Sequence, residues 1–199
     1  MSNPNARDRI LKSAIKVFAE KSFEGSRIDE IAKEANVPKS LIYYHFRSKD
    51  EILQVLTDEF INEYRNIASE YRNESHRDKA SNMADRMKKV YFEFGQRNAD
   101  LIRVIFIDSL KKSKAQPAFL NVIDAMISME SGSPAHMGDD IQERRIAEFF
   151  TSFITNCAYI CFADTWTRYF NIERAEFDEL YIKIYNQTHG AYHKAIDTV

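Results

Sequence analysis

Proline and glycine are scarce in this chain and unevenly placed, and that scarcity constrains its fold more than any other feature. Of 199 residues, five are glycine and four are proline. No proline lies between Pro38 and Pro117, and none follows Pro134. Long stretches therefore lack the residues that end helices, and their apolar residues recur at three- and four-residue steps. Ile10, Ala14, Val17 and Phe18 mark one face of a first helix that ends near Lys21, before a turn at Gly25. Ser26, Arg27, Ile28 and Asp29 open a second helix in a capping-box pattern, a serine oxygen with an acid three residues on. Ile28, Ile31, Ala32 and Ala35 form its apolar side.

Asn36 then interrupts, as a residue tolerant of the left-handed backbone can in a tight turn. Pro38 suits the first turn of a short third helix, Lys39 to about His45. Ser48 with Glu51 caps a fourth that runs to about Asn73. Further helices are predicted at about 78–96, 98–113, 117–130, 140–170 and 173–196, with the clearest loop at 131–139. No strand pattern or internal repeat interrupts them. The expected class is all-α, with about nine helices. A three-helix N-terminal head holds a helix-turn-helix, and a C-terminal helical bundle forms the body. The head takes residues 1–50, reaching about 65 with the start of the fourth helix, and the body takes 51–199.

Charge separates the same two parts. Residues 1–49 carry ten Lys or Arg against six acids, while the whole chain carries a net charge of only -2. A basic head on an acidic body is expected where one module alone faces phosphate. The two cysteines, Cys157 and Cys161, make no disulfide framework. The longest uncharged run, Phe149 to Ala163, falls short of the roughly 20 residues that span a bilayer. A cytoplasmic location, with no membrane partner, is the expectation.

Two short helices joined by a tight turn at residues 26–46 form the unit that places a helix in the major groove of DNA. Ile42 and Phe46, four apart, are expected to face back onto Ile28, Ile31 and the first helix. Lys39, Ser40 and Leu41 then occupy the leading turn, where base edges lie. Lysine donates to guanine acceptors, serine adapts, and an apolar side chain meets the thymine methyl. Tyr43, Tyr44, His45 and Lys49 line the exit with phosphate donors. Ser26 and Arg27 stand at the start of the preceding helix, whose N-terminus attracts anions.

The run from Ser26 to Lys49 resembles the DNA-binding head of the tetracycline-repressor (TetR) family. Ile31, Ala32, Ala35, Val37, Tyr43, Phe46, Ser48 and Lys49 stand at the family's spacing, and Ile52 takes the place of its leucine. Ala14 and Phe18 of the first helix match as well, so the resemblance covers about residues 7–54. Asn36 replaces the usual turn glycine, Ser40 stands where glycine is common, and Leu41 where threonine or serine is common. The resemblance implies a homodimeric repressor on a palindromic double-stranded operator, released by a small molecule in the body. It also implies that the last two helices pair with their copies, and that the fourth helix is the lever between ligand and DNA.

Phe94, Phe106, Met126, Met129, Phe153, Phe162 and Trp166 are candidate walls of the effector pocket, for an apolar or amphipathic ligand. A second reading is a thiol- or metal-responsive sensor using Cys157 and Cys161, one helical turn apart, as are His189 and His193. Neither pair alone supplies a metal's ligand set, so no metal site and no cofactor are expected. An enzyme is not expected either. No glycine-rich phosphate loop, metalloprotease helix motif or nucleophile elbow occurs.

Overall fold

The structure is a computed structural model that describes residues 5–74, 92–111, 120, 122–124, 127 and 140–196. Among them are nine helical elements and no strand. The first four are α1 (Ala6–Gly25), α2 (Ile28–Glu34), α3 (Lys39–His45) and α4 (Lys49–Glu74). After a helical stretch at 92–97 come α5 (Ala99–Ser109) and α6 (Asp140–Ala147). A π-helical segment, Glu148–Phe153, joins α6 to α7 (Ile154–Phe170), and α8 (Arg174–Ile196) closes the chain. Most of the helix predicted at 78–96, parts of that at 117–130, and the loop at 131–139 lie outside the described residues.

The chain divides into two compact units, residues 1–63 with 100–118, and residues 64–99 with 119–199. The first unit takes in the start of α4 and all but the first residue of α5 along with the N-terminal helices. Ile10, Ala14, Phe18, Ile31, Ile42 and Ile52 form its centre, each at most 1% exposed. Lys111, just beyond α5, holds that helix to the end of α1. Its Nζ donates to Glu24 and Asp108, both at 2.8 Å, and sits 5.4 Å from the centre of the Phe23 ring. Burial alone would depress the Lys111 ammonium, but the two carboxylates overcome that and hold it above its ordinary value.

Local chemistry explains the turns of the head. Asn36 has φ 51°, in the left-handed region. Val37 N–H donates to Ala32 O at 3.0 Å and Asn36 N–H to Lys33 O at 3.2 Å, the paired bonds of a Schellman end. Ser48 Oγ accepts from Glu51 N–H at 3.1 Å, as its cap position predicts. α2 begins one residue later than the sequence suggested and keeps only the acid's half of a capping box. Arg27 is the N-cap, and its N–H donates to Glu30 Oε2 at 2.9 Å. Pro38, expected inside the third helix, is its N-cap.

In the second unit, α6, the π segment and α7 run on as one helix, residues 141–170. Its length and a mean hydropathy of 1.4 over its most apolar stretch would suffice to cross a membrane, more than the uncharged run alone implied. Half of that stretch is buried within the protein, and Glu148 and Asn156 lie buried on the same helix. A ladder of polar pairs joins this helix to α8. Tyr159 OH donates to Asp178 Oδ1 at 2.7 Å, and Arg174 reaches both groups. Tyr181 OH donates to Asn156 Oδ1 at 2.9 Å, and Ser152 Oγ meets Tyr185 OH at 2.7 Å. Glu148 faces His189 and His193 on the last rung. Each step of three or four residues back along one helix is matched by an equal step forward along the other.

Backbone strain sits at one place in the head. Ser22 breaks the helical dihedrals of α1 at φ 63°, ψ 160°, a region nearly reserved for glycine that costs other residues about 1–3 kcal/mol. Its Oγ recovers part of that by accepting from Gly25 N–H at 3.2 Å. Ser22→Ala, which keeps the strain and loses this bond, is therefore expected to melt below Ser22→Gly, by about 1–2 kcal/mol. Thermal denaturation of the two variants checks the order, and a Gly variant less stable than the Ala variant would refute it.

Candidate nucleic-acid interface

The short α3 has two faces of opposite character. Ile42 is 0% exposed and Phe46, which follows the helix, is 2% exposed. Lys39, Ser40, Tyr43 and Tyr44 are exposed, Tyr44 at 81%. Positions 39, 40, 43 and 44 fall on one side of a helix of 3.6 residues per turn, so polar and aromatic groups line a single outward surface. Leu41 and His45 are half-buried on its flanks. The His45 ring stands edge-on to Tyr44, with centres 5.1 Å apart.

Lys39 Nζ pairs with Asp29 Oδ1 of α2 at 2.8 Å, and that acid holds the ammonium above its ordinary pKa. Both groups are well exposed, and such a surface pair is worth little. The lysine is thus available to another anion at small cost. Arg27 is exposed at the N-terminus of α2. Two of the residues expected to meet phosphate are instead turned into the fold. Ser26 is 4% exposed and donates its hydroxyl to Phe23 O at 2.6 Å. Lys49 Nζ donates to Phe23 O at 2.5 Å and Ser26 O at 3.0 Å, and lies 4.5 Å from the centre of the Phe23 ring. Lys49 therefore latches the first turn of α4 to the end of α1.

Comparison with known proteins matches the family description "Bacterial regulatory proteins, tetR family" to residues 10–56. The N-terminal head of this chain, residues 10–56, is thus similar to the DNA-binding part of TetR-family regulators. Among curated relatives, the biofilm operon icaADBC HTH-type negative transcriptional regulator IcaR of Staphylococcus aureus is 44% identical over 48 residues, covering 24% of this chain. The Staphylococcus epidermidis protein of that name is 41% identical over 46 residues, covering 23% of this chain. The match spans about a quarter of those relatives, 26% and 25% of their lengths. Two solved structures share the fold. FadR from Bacillus halodurans, a fatty acid degradation regulator, has a TM-score of 0.60 at 16% identity, over 89% of this chain and 96% of that one. FadR from Bacillus subtilis, solved with stearoyl-CoA, has a TM-score of 0.56 at 18% identity, over the same shares of 89% and 96%.

Of the residues expected to wall an effector pocket, five are among the described residues. Phe94 is buried against Tyr64, with ring centres 6.5 Å apart. Phe153 is buried beside Phe149, at 6.2 Å. Phe106, half-buried, belongs to the first unit. Met126 and Met129 lie outside the described residues. Phe162 and Trp166 are corrections: at 58% and 49% exposed they stand on the outer side of α7. They share that face with Tyr169 and Phe170, while Cys157, Ile160 and Ala163 point inward. Burial pushes the Cys157 thiol well above its usual pKa, with a smaller contribution from Cys161. A thiol held protonated is a poor nucleophile and a poor metal ligand, which disfavours the thiol-sensor reading.

The latch makes a separable prediction. Lys49→Met should lower stability by about 1–3 kcal/mol, because it takes a charged donor from the Ser26 carbonyl and leaves Phe23 O to the Ser26 hydroxyl alone. Lys39→Ala, which removes only an exposed pair, should leave the melting temperature nearly unchanged. Circular-dichroism melts of both variants decide the matter, and a Lys49→Met protein as stable as the parent would return that lysine to the DNA.

Proposed function

We propose that this chain is a transcriptional repressor that binds a palindromic DNA operator as a homodimer and is released by a small apolar or amphipathic effector. One observation carries the reading. A helix of seven residues spends its rear side chains wholly on the core and leaves Lys39, Ser40, Tyr43 and Tyr44 facing outward together. Any surface helix divides its faces in this way; what favours DNA is that the outward face gathers a lysine, a serine and two tyrosines, groups able to meet base edges and phosphates in the major groove. In this reading Lys39, Ser40 and Leu41 meet base edges, and Arg27, Tyr43, Tyr44 and His45 hold phosphates.

Substitution should separate these roles. Lys39→Ala and Tyr43→Ala are each expected to weaken operator binding by about 1–3 kcal/mol without unfolding the protein. Affinity should also fall steeply with salt, as phosphate contacts release counterions. Fluorescence polarisation on a promoter fragment recovered by genome-wide pull-down measures both. Parent-like binding by both variants would remove α3 from the interface.

The dimer rests on an exposed apolar stripe. Phe162, Trp166, Tyr169 and Phe170 on α7 are 49–81% exposed, and Leu180 and Ile184 on α8 are 43% and 57% exposed. Large apolar groups at helical spacing on two adjacent helices suit burial against their own copies across a two-fold axis. Trp166→Asp combined with Ile184→Asp should give a folded monomer by sedimentation, with operator affinity lost. A dimer that persists would place the subunit contact elsewhere.

An effector shifts DNA affinity only through unequal affinity for two conformations, about 1.4 kcal/mol for each tenfold change. The chain passes between the two units along α4 and again at the start of α5. Those helices are the proposed route of the signal, with α5 reaching the end of α1 through Lys111 and Glu24. A long-chain acyl-CoA is a fitting first probe, since the Bacillus subtilis FadR structure holds stearoyl-CoA.

A further inference from the structure

We propose that Glu148, His189 and His193 form a binding site for a divalent transition-metal ion of the zinc class. The three donors converge. His189 Nε2 and His193 Nε2 are 3.0 Å apart, His193 Nε2 is 3.0 Å from Glu148 Oε1, and His189 Nε2 is 3.5 Å from Glu148 Oε2. Nitrogen and oxygen ligands bonded to zinc at about 2.0–2.2 Å in a tetrahedron lie roughly 3.3–3.6 Å from one another. The two histidine nitrogens and the two carboxylate oxygens lie near that spacing, and one donor atom from each residue lies within 4.8 Å of the others, so a small shift brings all three residues about one ion. Two histidines and one carboxylate are also a set that leaves a fourth position for water.

Proton placement strengthens the case. Thr151 Oγ1 donates its only proton to Ala147 O at 2.7 Å. The same oxygen lies 2.9 Å from His189 Nδ1, so there it must accept, and His189 carries its proton on Nδ1. With Nδ1 engaged by Thr151, Nε2 is the ring nitrogen that His189 turns toward His193 and Glu148. An imidazole whose far nitrogen is held by a fixed oxygen while the near one faces the other donors has the usual orientation of a metal ligand.

Without an ion, the arrangement is poorly balanced. Glu148 is 2% exposed, and its nearest recorded guanidinium contact, Arg144 Nε, is 4.0 Å away. Glu148 Oε1 accepts no hydrogen bond of good geometry among the described residues. One proton on His193 Nε2 cannot point squarely at both His189 Nε2 and the carboxylate, whereas a cation bonds all three at once. A buried carboxylate needs such a partner. His193, with 24% of its side chain exposed, is the open edge through which an ion would arrive. Glu148 opens the π-helical segment, a form of helix frequent at functional sites.

The probe is Zn²⁺, added to tag-free full-length protein previously stripped with chelator, and read by equilibrium dialysis with metal analysis. The parent should take up about one ion per chain and melt at a higher temperature with zinc. His193→Ala and Glu148→Gln should lose affinity by at least a hundredfold, and Thr151→Val, which removes the partner of His189, by about 10–100-fold. Circular dichroism of each variant without metal confirms that it is folded, and His193→Ala, at the rim, is the variant least disturbing to packing. Cobalt substitution should give visible bands in the parent that vanish in His193→Ala. Cys157→Ser with Cys161→Ser should change nothing. Equal zinc uptake by the parent and a folded His193→Ala protein would overturn the proposal. So would loss of uptake on cysteine replacement, or no uptake by the parent. None of these outcomes depends on operator binding.

Discussion

A seven-residue helix has no stability of its own. Isolated helices shorter than about 12–15 residues are marginal even in favourable sequences, because nucleation costs several dihedrals for one hydrogen bond. The surface offered by α3 therefore exists only because Ile42 and Phe46 are wholly buried, each contributing roughly 1.5–3 kcal/mol of transfer free energy. The remaining devices of the head reduce what that burial must overcome. Asn36 closes α2 with its backbone bonds satisfied, Pro38 enters α3 with its φ already fixed, and Lys49 ties α4 to the far end of α1. Each fixes an angle or a distance that α3 cannot set for itself. The outward residues are then left free for the proposed DNA contacts, since none of them is required to hold the helix.

What the sequence made legible in the head is what neighbouring residues decide. The left-handed turn at Asn36, the Ser48–Glu51 cap, the extent of α3 and the inward pair Ile42 and Phe46 all depend on contacts or dihedrals within a few positions. The misread residues depend on partners far away in the chain or on competition for one group. Ser26 has the chemistry of a cap, but its hydroxyl is taken by Phe23 O, so the helix starts at Arg27, whose N–H is served by Glu30. Lys49 has the chemistry of a phosphate donor, but its ammonium meets carbonyls 23 and 26 residues back. Likewise α5 reads as an ordinary body helix until Lys111 is seen to meet Glu24, 87 residues away. Residue type announces what a side chain can do, and only the fold says which partner reaches it first.

The body was harder to read for a related reason. The helix from 141 to 170 is apolar on more than one side, and periodicity alone cannot rank two apolar stripes. The inner stripe turned out to be the more polar one. It carries Glu148, Ser152, Asn156 and Tyr159 among its apolar residues, each matched to a group on α8. The outer stripe carries Phe162, Trp166, Tyr169 and Phe170, the bulkiest apolar groups of α7. A search for hydrophobic walls was therefore drawn to the outward residues.

That inversion has a physical logic. Two helices joined only by apolar side chains can slide or rotate at modest cost, since one methyl group substitutes well for another. A ladder of buried polar pairs does not allow this. A shift of one residue would separate Asn156 from Tyr181, Ser152 from Tyr185 and Glu148 from His189 together, and each orphaned group would cost about 1–3 kcal/mol. The pairs thus act less through their net stability than by excluding every other register. With the register fixed from inside, the outer stripe is displayed in one arrangement only. The proposed meeting of that surface with its copy across a two-fold axis would need such rigidity, because an error in one subunit's helix pair is repeated in the other and doubles at the contact.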